Sequence, residues 1–288
     1  MPEMPEVEGL AAFLRGRTMG RTLTGVEVGA VSALKTYSPA PSALVGAQVS
    51  DVLRRGKWLD IATAGADGEL HLLFHLARAG WLRWYDTVPK AALRPGRSPI
   101  ALRVRLDDGA GFDLTEAGTR KRLAVHVVAR ADDVPAVATL GPEPLGLGLD
   151  EFRALLAPRK QQVKGLLRDQ SVIAGIGNAY SDEILHVARM SPFALTSTLD
   201  EESARRLHTA MLEVLGAAIG QASGKPAAEL KDAKRRSMRV HGRTGEPCPV
   251  CGDTVREVSF ADSSLQYCPT CQTGGRILAD RRMSKLLR

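Results

Sequence analysis

The chain has only four cysteines, and they come as two pairs of one spacing: Cys248 and Cys251, then Cys268 and Cys271, with residues 252–267 between them. Two CxxC turns joined by a stretch of hairpin length place four thiolates for a single tetrahedral Zn²⁺. Four protein thiolates leave no open coordination position, so one structural, non-catalytic zinc is expected. The acidic, proline-containing start MPEMPEVEGL lacks the basic-then-apolar pattern of a secretory signal, which argues against disulfides. A zinc hairpin serves equally for touching nucleic acid, for protein contacts or for closing a domain, and spacing alone leaves the three open.

Charge bears on that choice. The net charge is +7 over 288 residues, and the excess is concentrated late. The segment KDAKRRSMRVHGR (231–243) and the tail 276–288 are dominated by Lys and Arg. Such patches attract a polyanion and gain affinity by releasing its counterions, although a charge run is also an ordinary solvated surface. The basic approach SMRVHGRTGEP leads directly into Cys248, which favours nucleic acid and makes Arg243 a contact candidate. No apolar run is long enough to span a bilayer, so a cytosolic protein without membrane association is expected.

The organisation changes along the chain. Residues 6–17 (EVEGLAAFLRGR) carry Val7, Leu10, Ala11 and Leu14 at helical spacing. From about 22 to 128, the runs VEVGAV, KWLDIAT, LHLLFHL, WLRWY, IALRVRL and RLAVHVVA, separated by Gly, Pro or Asp clusters, read as an antiparallel sandwich or barrel. GPEPLGLGL (141–149) reads as a linker. Asp150 is then a helix N-cap candidate, followed by helical KQQVKGLLRD, NAYSDEILHVA and DEESARRLHTAMLEVLGAAIGQA. The expected domains are 1–140, 150–244, the zinc segment 245–275 and a basic tail 276–288.

Within the helical part, VIAGIGNAYSDEIL runs through Gly175 and Gly177 into Asn178 and a helix. Glycines there let backbone approach a phosphate, and the following helix N-terminus presents free N–H groups. Asn178 can cap that helix or donate to the same anion. The preceding segment repeats basic residues every fourth position, Lys160, Lys164 and Arg168.

Three separated motifs, PEMPEVE, AGIGNAYSDEIL and GRTGEPCPVCG with its partner CPTCQ, together resemble the formamidopyrimidine-DNA glycosylase and endonuclease VIII family over nearly the whole chain. The resemblance implies an α+β architecture: an N-terminal helix with a two-layered β-sandwich, a helix-two-turn-helix domain and a C-terminal zinc-finger β-hairpin. It also implies a bifunctional glycosylase and apurinic/apyrimidinic lyase of base-excision repair. Met1 is removed in the family, and the Pro2 amine attacks the sugar C1′ to give a Schiff base, with β,δ-elimination following. The expected partner is double-stranded DNA with damaged bases or abasic sites, bound by a monomer in a bacterial cytoplasm.

Carried over by position, Glu3 is the general acid and Glu6 its support. Lys57 contacts phosphate next to the lesion, Asn178 holds a lesion-flanking phosphate, Lys164 lies near the DNA and His75 lies near the backbone. Arg78 stands where the formamidopyrimidine branch has a gap-filling methionine, Arg122 and Leu123 lie near its arginine–phenylalanine pair, and Ser263 replaces an arginine that clamps phosphates. Loss of that clamp weakens DNA binding unless Arg276, Arg281, Arg282, Lys285 and Arg288 in the tail compensate. On Pro2 and Glu3 alone, a helix start with Pro in the first turn and acids at the positive dipole end is the better explanation, and the family resemblance is what reverses it. The PEMPEVE start favours oxidised purines. The alternatives are another lesion preference, a non-excising binder of damaged or abasic DNA, or a zinc-ribbon regulator.

Overall fold

In the computed structural model, described for residues 1–66, 68–93, 99–260 and 263–279, the chain divides into two compact units. Unit 1 comprises Met1–Leu140 with Ala222–Lys231, and unit 2 comprises Gly141–Gln221 with Asp232–Arg288. Arg281, Arg282, Lys285 and Arg288 of the tail lie outside the described residues.

Unit 1 begins with α1 (Met4–Thr18), then β1 (Leu23–Val28), β2 (Gln48–Arg55), β3 (Trp58–Gly65), β4 (Gly68–His75), β5 (Gly80–Tyr85), β6 (Ile100–Leu106), β7 (Gly111–Glu116), β8 (Ala124–Val128) and the short α2 (Pro135–Ala138). The strands form two four-stranded antiparallel sheets, β1-β6-β7-β5 and β2-β3-β4-β8. Period-two alternation decides which side chains meet inside. Leu59, Ile61, Leu72 and Phe74 join Leu102, Val104, Phe112 and Leu114 in one core, to which α1 adds Val7, Leu10, Ala11 and Leu14. Phe74 and Phe112 lie 6.2 Å apart between ring centroids. The alternate positions Trp58 and Leu73 face outward and are covered by Ala131, Val134 and Val137.

Unit 2 contains α3 (Leu149–Leu156), α4 (Val163–Arg168), α5 (Asn178–Val187), α6 (Glu201–Ala222, whose last residue clusters with unit 1), α7 (Leu230–Ser237, whose first turn does the same), β9 (Arg256–Ser259), β10 (Ser264–Tyr267) and α8 (Pro269–Thr273). The zinc segment and the helices cluster as one unit, because α5 hydrogen-bonds repeatedly to residues 239–248 and 264. Asp150 is not the cap of α3: Gly148 is, and its N–H donates to Glu151 Oε2 at 2.9 Å, which draws the start of the helix back. Lys160 lies outside α4, so the four-residue basic ladder does not form on a single helix.

Helix α5 ends in a Schellman pair of bonds, Met190 N–H to Leu185 O at 2.9 Å and Arg189 N–H to His186 O at 3.1 Å. Arg189 adopts φ +49°, the left-handed conformation that glycine takes without a steric cost. Arg189→Gly is expected to stabilise the protein by about 1 kcal/mol, read as a higher denaturant midpoint at unchanged slope.

Candidate active site and metal centre

Pro2 is buried immediately ahead of α1, and Glu3 is the extended N-cap of that helix. Glu3 and Glu6 are both buried polar residues, only 2% and 3% exposed. The Glu3 N–H donates to Glu6 Oε2 at 2.8 Å, which locks the carboxylate at the positive end of the helix. Two buried acids next to a chain end are costly for folding alone, because a buried carboxylate must find donors in place of water.

Lys57 is 8% exposed in the turn between β2 and β3. Its neighbour Trp58 pairs with His75, their rings 5.0 Å apart. Burial, and then the charge of Lys57, pull the His75 pKa down to about 4. Its Nδ1 accepts the Ala77 N–H at 3.2 Å, so the neutral ring carries its proton on Nε2. Because the folded pKa lies below the unfolded value of about 6.5, the unfolded chain binds more protons between pH 6.5 and 4, and stability is lost as pH falls through that window. His75→Asn is expected to reduce that loss by about 2 kcal/mol, checked by urea unfolding at pH 7 and pH 4.5.

The β4–β5 turn projects Arg78, which is exposed and follows Ala77 at φ +50°. Gly80 closes the turn by donating to Leu76 O at 2.8 Å, and a Cβ on Gly80 would meet that oxygen at 2.1 Å, so no side chain fits. Arg122 is exposed on the β7–β8 loop. That loop hangs on buried Glu116, whose Oε1 accepts the N–H groups of Arg122 at 2.7 Å and Leu123 at 3.0 Å. Gly80 pairs with Glu116, and Ala117 N–H donates to Ala79 O at 3.3 Å. The two arginine-bearing loops are therefore stitched side by side.

In unit 2, Gly175 has φ +86° and Gly177 caps α5, leaving Asn178 as the first helical residue rather than the cap. Gln170, which carried no sequence motif, shapes this turn: its Oε1 accepts the Gly175 N–H at 2.9 Å, and its Nε2 donates to Arg168 O and Ile176 O. Asn178 Nδ2 donates to Ser264 O at 2.7 Å in the hairpin, while its buried Oδ1 has no partner among the described residues.

Lys164, expected near the DNA, is buried within unit 2. It is 4% exposed, and its Nζ donates to Asp182 Oδ1 at 2.7 Å, Ser181 Oγ at 2.7 Å and Asn178 O at 3.1 Å. The other Asp182 oxygen meets His241 Nδ1 at 2.7 Å. Lys164 thus holds the first turn of α5 from inside. Lys164→Met removes the ammonium from a fully buried carboxylate, leaving it His241 alone, and is expected to cost about 3–5 kcal/mol, measurable as the shift in chemical-denaturation midpoint. Arg243 is also engaged internally, with Glu246 at 2.9 Å and with the carbonyls of Met238 and Arg235. Ser263 sits at the hairpin turn, where its carbonyl accepts the Phe260 N–H at 2.7 Å.

The four cysteine sulfurs all lie within 4.8 Å of one another, with Cys251–Cys268 at 3.4 Å and Cys248–Cys271 at 3.9 Å. A tetrahedron of Zn–S bonds of about 2.3 Å sets its sulfurs about 3.8 Å apart, so the set fits the ion. Burial pushes the Cys268 thiol up to about 11 and Cys271 further up when no cation is present. A divalent ion supplies the charge that lets such a cluster ionise. Buried His186 on α5 places Nε2 3.3 Å from Cys248 Sγ.

Models of three domains match the chain in order: the formamidopyrimidine-DNA glycosylase N-terminal domain over residues 1–125, its H2TH domain over 140–228, and the zinc finger found in FPG and IleRS over 245–274. The formamidopyrimidine-DNA glycosylase of Heliobacterium modesticaldum is 34% identical over 283 residues, covering 94% of this chain and 100% of that one. The chain belongs to the formamidopyrimidine-DNA glycosylase family. An uncharacterized formamidopyrimidine-DNA glycosylase-like protein of Mycobacterium tuberculosis is 58% identical over 154 residues, covering 54% of this chain and 98% of that one. Among solved structures, Lactococcus lactis Fpg bound to abasic-site DNA superimposes with a TM-score of 0.81 at 26% identity, over 94% and 99% of the two chains. MutM (FPG) of Thermus thermophilus gives 0.77 at 31% identity, over 94% and 98%. The family, its helix–sandwich–H2TH–zinc-hairpin architecture and one structural zinc, all expected from the sequence, are thereby established. No helix among the described residues of this formamidopyrimidine-DNA glycosylase family member is long and apolar enough to cross a membrane.

Proposed function

We propose that the chain is a DNA glycosylase of base-excision repair with apurinic/apyrimidinic lyase activity, acting as a monomer on damaged duplex DNA in a bacterial cytoplasm. The observation that carries this reading is the pair of buried acids, Glu3 and Glu6, held at the positive end of α1 directly behind Pro2. Once Met1 is lost, Pro2 offers a secondary amine. An α-amino group titrates roughly 2.5 units below lysine, leaving a neutral, nucleophilic fraction near pH 7. Its lone pair attacks C1′ of the damaged nucleotide, the C1′–N bond breaks, and the base departs with a proton. Glu3 protonates the sugar ring oxygen as the ring opens, giving the Schiff base, and Glu6 fixes the position of Glu3. β-Elimination then breaks the C3′–O bond and δ-elimination the C5′–O bond.

Lys57 and neutral His75 stand close enough to interact and are suited to the phosphates flanking that nucleotide, as is Asn178. Arg78, on its closed turn, fills the gap left in the stack when the nucleotide is turned out, and Arg122 on the adjoining loop meets the opposite strand. Lys164 acts as a positioning residue for the Gly175–Asn178 turn, and Arg243 holds the approach to the zinc module. Relatives of the same fold have been solved with abasic-site DNA and with DNA containing Fapy-dG, which supports oxidised purines as the substrate class.

Borohydride reduction in the presence of DNA carrying an apurinic site tests the reading, using protein whose mass shows Met1 absent. A covalent protein–DNA adduct is expected, strongly reduced in Pro2→Gly. Absence of an adduct from correctly processed protein overturns the lyase reading and leaves a non-excising binder.

A further inference from the structure

His186 has no part in the chemistry above, yet it is a fully enclosed imidazole, 2% exposed, placed against the metal site. Its Nε2 lies 3.3 Å from Cys248 Sγ, and its Nδ1 is buried with no partner among the described residues. A neutral imidazole has a single N–H. On Nδ1 that proton would be a buried donor with no acceptor, and the Nε2 lone pair would face the lone pairs of sulfur. On Nε2 it points at the thiolate. The metal-binding group among the described residues consists of the four cysteines alone, so the imidazole has the place of an outer partner rather than of a ligand.

We propose that His186 is a positioning residue of the zinc centre, donating its Nε2–H to the zinc-bound Cys248 thiolate and thereby fixing the metal module to α5. The helix is built for this task. Asn178, Asp182 and His186 recur every fourth residue, on one face, and they bind in turn Ser264 O in the hairpin, the His241 ring and Cys248. Between them, the Glu183 carboxylate accepts the N–H groups of Arg239, Val240 and His241 at 2.8–3.0 Å. The helix that starts at the glycine turn thus sets the pose of the metal ligands as well. Outer partners of metal ligands typically change affinity 10- to 100-fold when removed. An N–H···S bond also withdraws electron density from sulfur, which lowers its nucleophilicity and raises the energy of thiolate-to-metal charge transfer.

The test uses the full-length protein, loaded with zinc for affinity and with cobalt(II) for spectroscopy. His186→Phe is expected to weaken zinc binding about 10- to 100-fold in competition with a chromophoric chelator. It should also shift the sulfur-to-cobalt bands to lower energy without changing their intensity per cobalt. His186→Gln, whose amide N–H reaches a similar point, is expected to recover most of the affinity. Unchanged affinity and bands in the Phe variant overturn the proposal, as does a wild-type band intensity corresponding to three thiolates, which would make His186 a ligand. Should the Phe variant fail to fold, a long-range proton–nitrogen spectrum of the wild-type zinc protein decides: the proton must reside on Nε2, and its presence on Nδ1 overturns the assignment.

Discussion

Extending the chain by a single uncleaved residue ahead of Pro2 is expected to abolish borohydride trapping on apurinic-site DNA while leaving the fold intact. With a residue in front of it, the Pro2 nitrogen is a tertiary amide whose lone pair is delocalised into the carbonyl, and it cannot form an iminium with a sugar aldehyde. Pro2→Gly keeps a terminal amine and loses the ring that fixes its approach, so a residual adduct is tolerable there and is not tolerable in the extended chain. The two variants therefore separate loss of the nucleophile from loss of its orientation. A trapped adduct of undiminished yield from the extended chain, its mass confirming the extra residue, would place the Schiff base elsewhere. Sequencing the cross-linked peptide would then find the true amine.

The second large effect concerns the metal. Cys251→Ser removes one of four ligands at an exposed position and is expected to empty the site. Apart from the bonds from α5 and the small cluster of Val258, Leu265 and Tyr267, the ligands are what hold the two CxxC turns together: β9 and β10 have four residues each, and the cluster at the sulfurs is Val240, Cys248, Val255 and Cys268. A two-stranded ribbon of that length is not stable alone, whereas structural zinc contributes about 10–16 kcal/mol in small modules. Hydrogen exchange should show residues 245–260 and 263–279 losing protection while the sheets of unit 1, which have their own core, keep theirs. The same loss is expected on acidification of the wild-type protein. Burial raises the Cys268 thiol to about 11 without a cation, so loading releases protons and zinc affinity falls as pH falls. Retained protection in a metal-free variant would show that packing alone holds the hairpin.

The metal centre was legible because CxxC spacing carries its own geometry, and the sulfurs indeed converge. The helix-then-strands order of unit 1 was legible from periodicity, but β2 and β7 were missed, each for a physical reason. A bulge between Val49 and Asp51 breaks the alternation of β2. In β7 the fully buried Asp113 reads as a loop residue until Arg103 is seen to bind both its oxygens, at 2.7 and 2.9 Å. Helix α7 was hidden inside a run of charge, since only Leu230 of its eight residues is buried. The buried pairing of Lys164 was hidden for a related cause. On its own helix the lysine is one more basic side chain, and its partner Asp182 lies on the next helix, where no local pattern announces a buried pair. The glycine turn is legible as a turn, but the Gln170 side chain that shapes it belongs to no motif.

In a chain processed to Pro2, the amine-bearing residue is joined directly to the N-cap of α1, where a hydrogen bond pins the Glu3 amide to Glu6 at 2.8 Å. A group at that end explores a volume set by one or two bonds, so its effective concentration toward anything docked beside α1 is that of an intramolecular reactant, with most of the orientational entropy lost during folding rather than in the encounter. A glycine inserted between Pro2 and Glu3 would leave every functional group present and lower only that concentration. Single-turnover rates for such a chain would fall while its equilibrium affinity for DNA stayed the same.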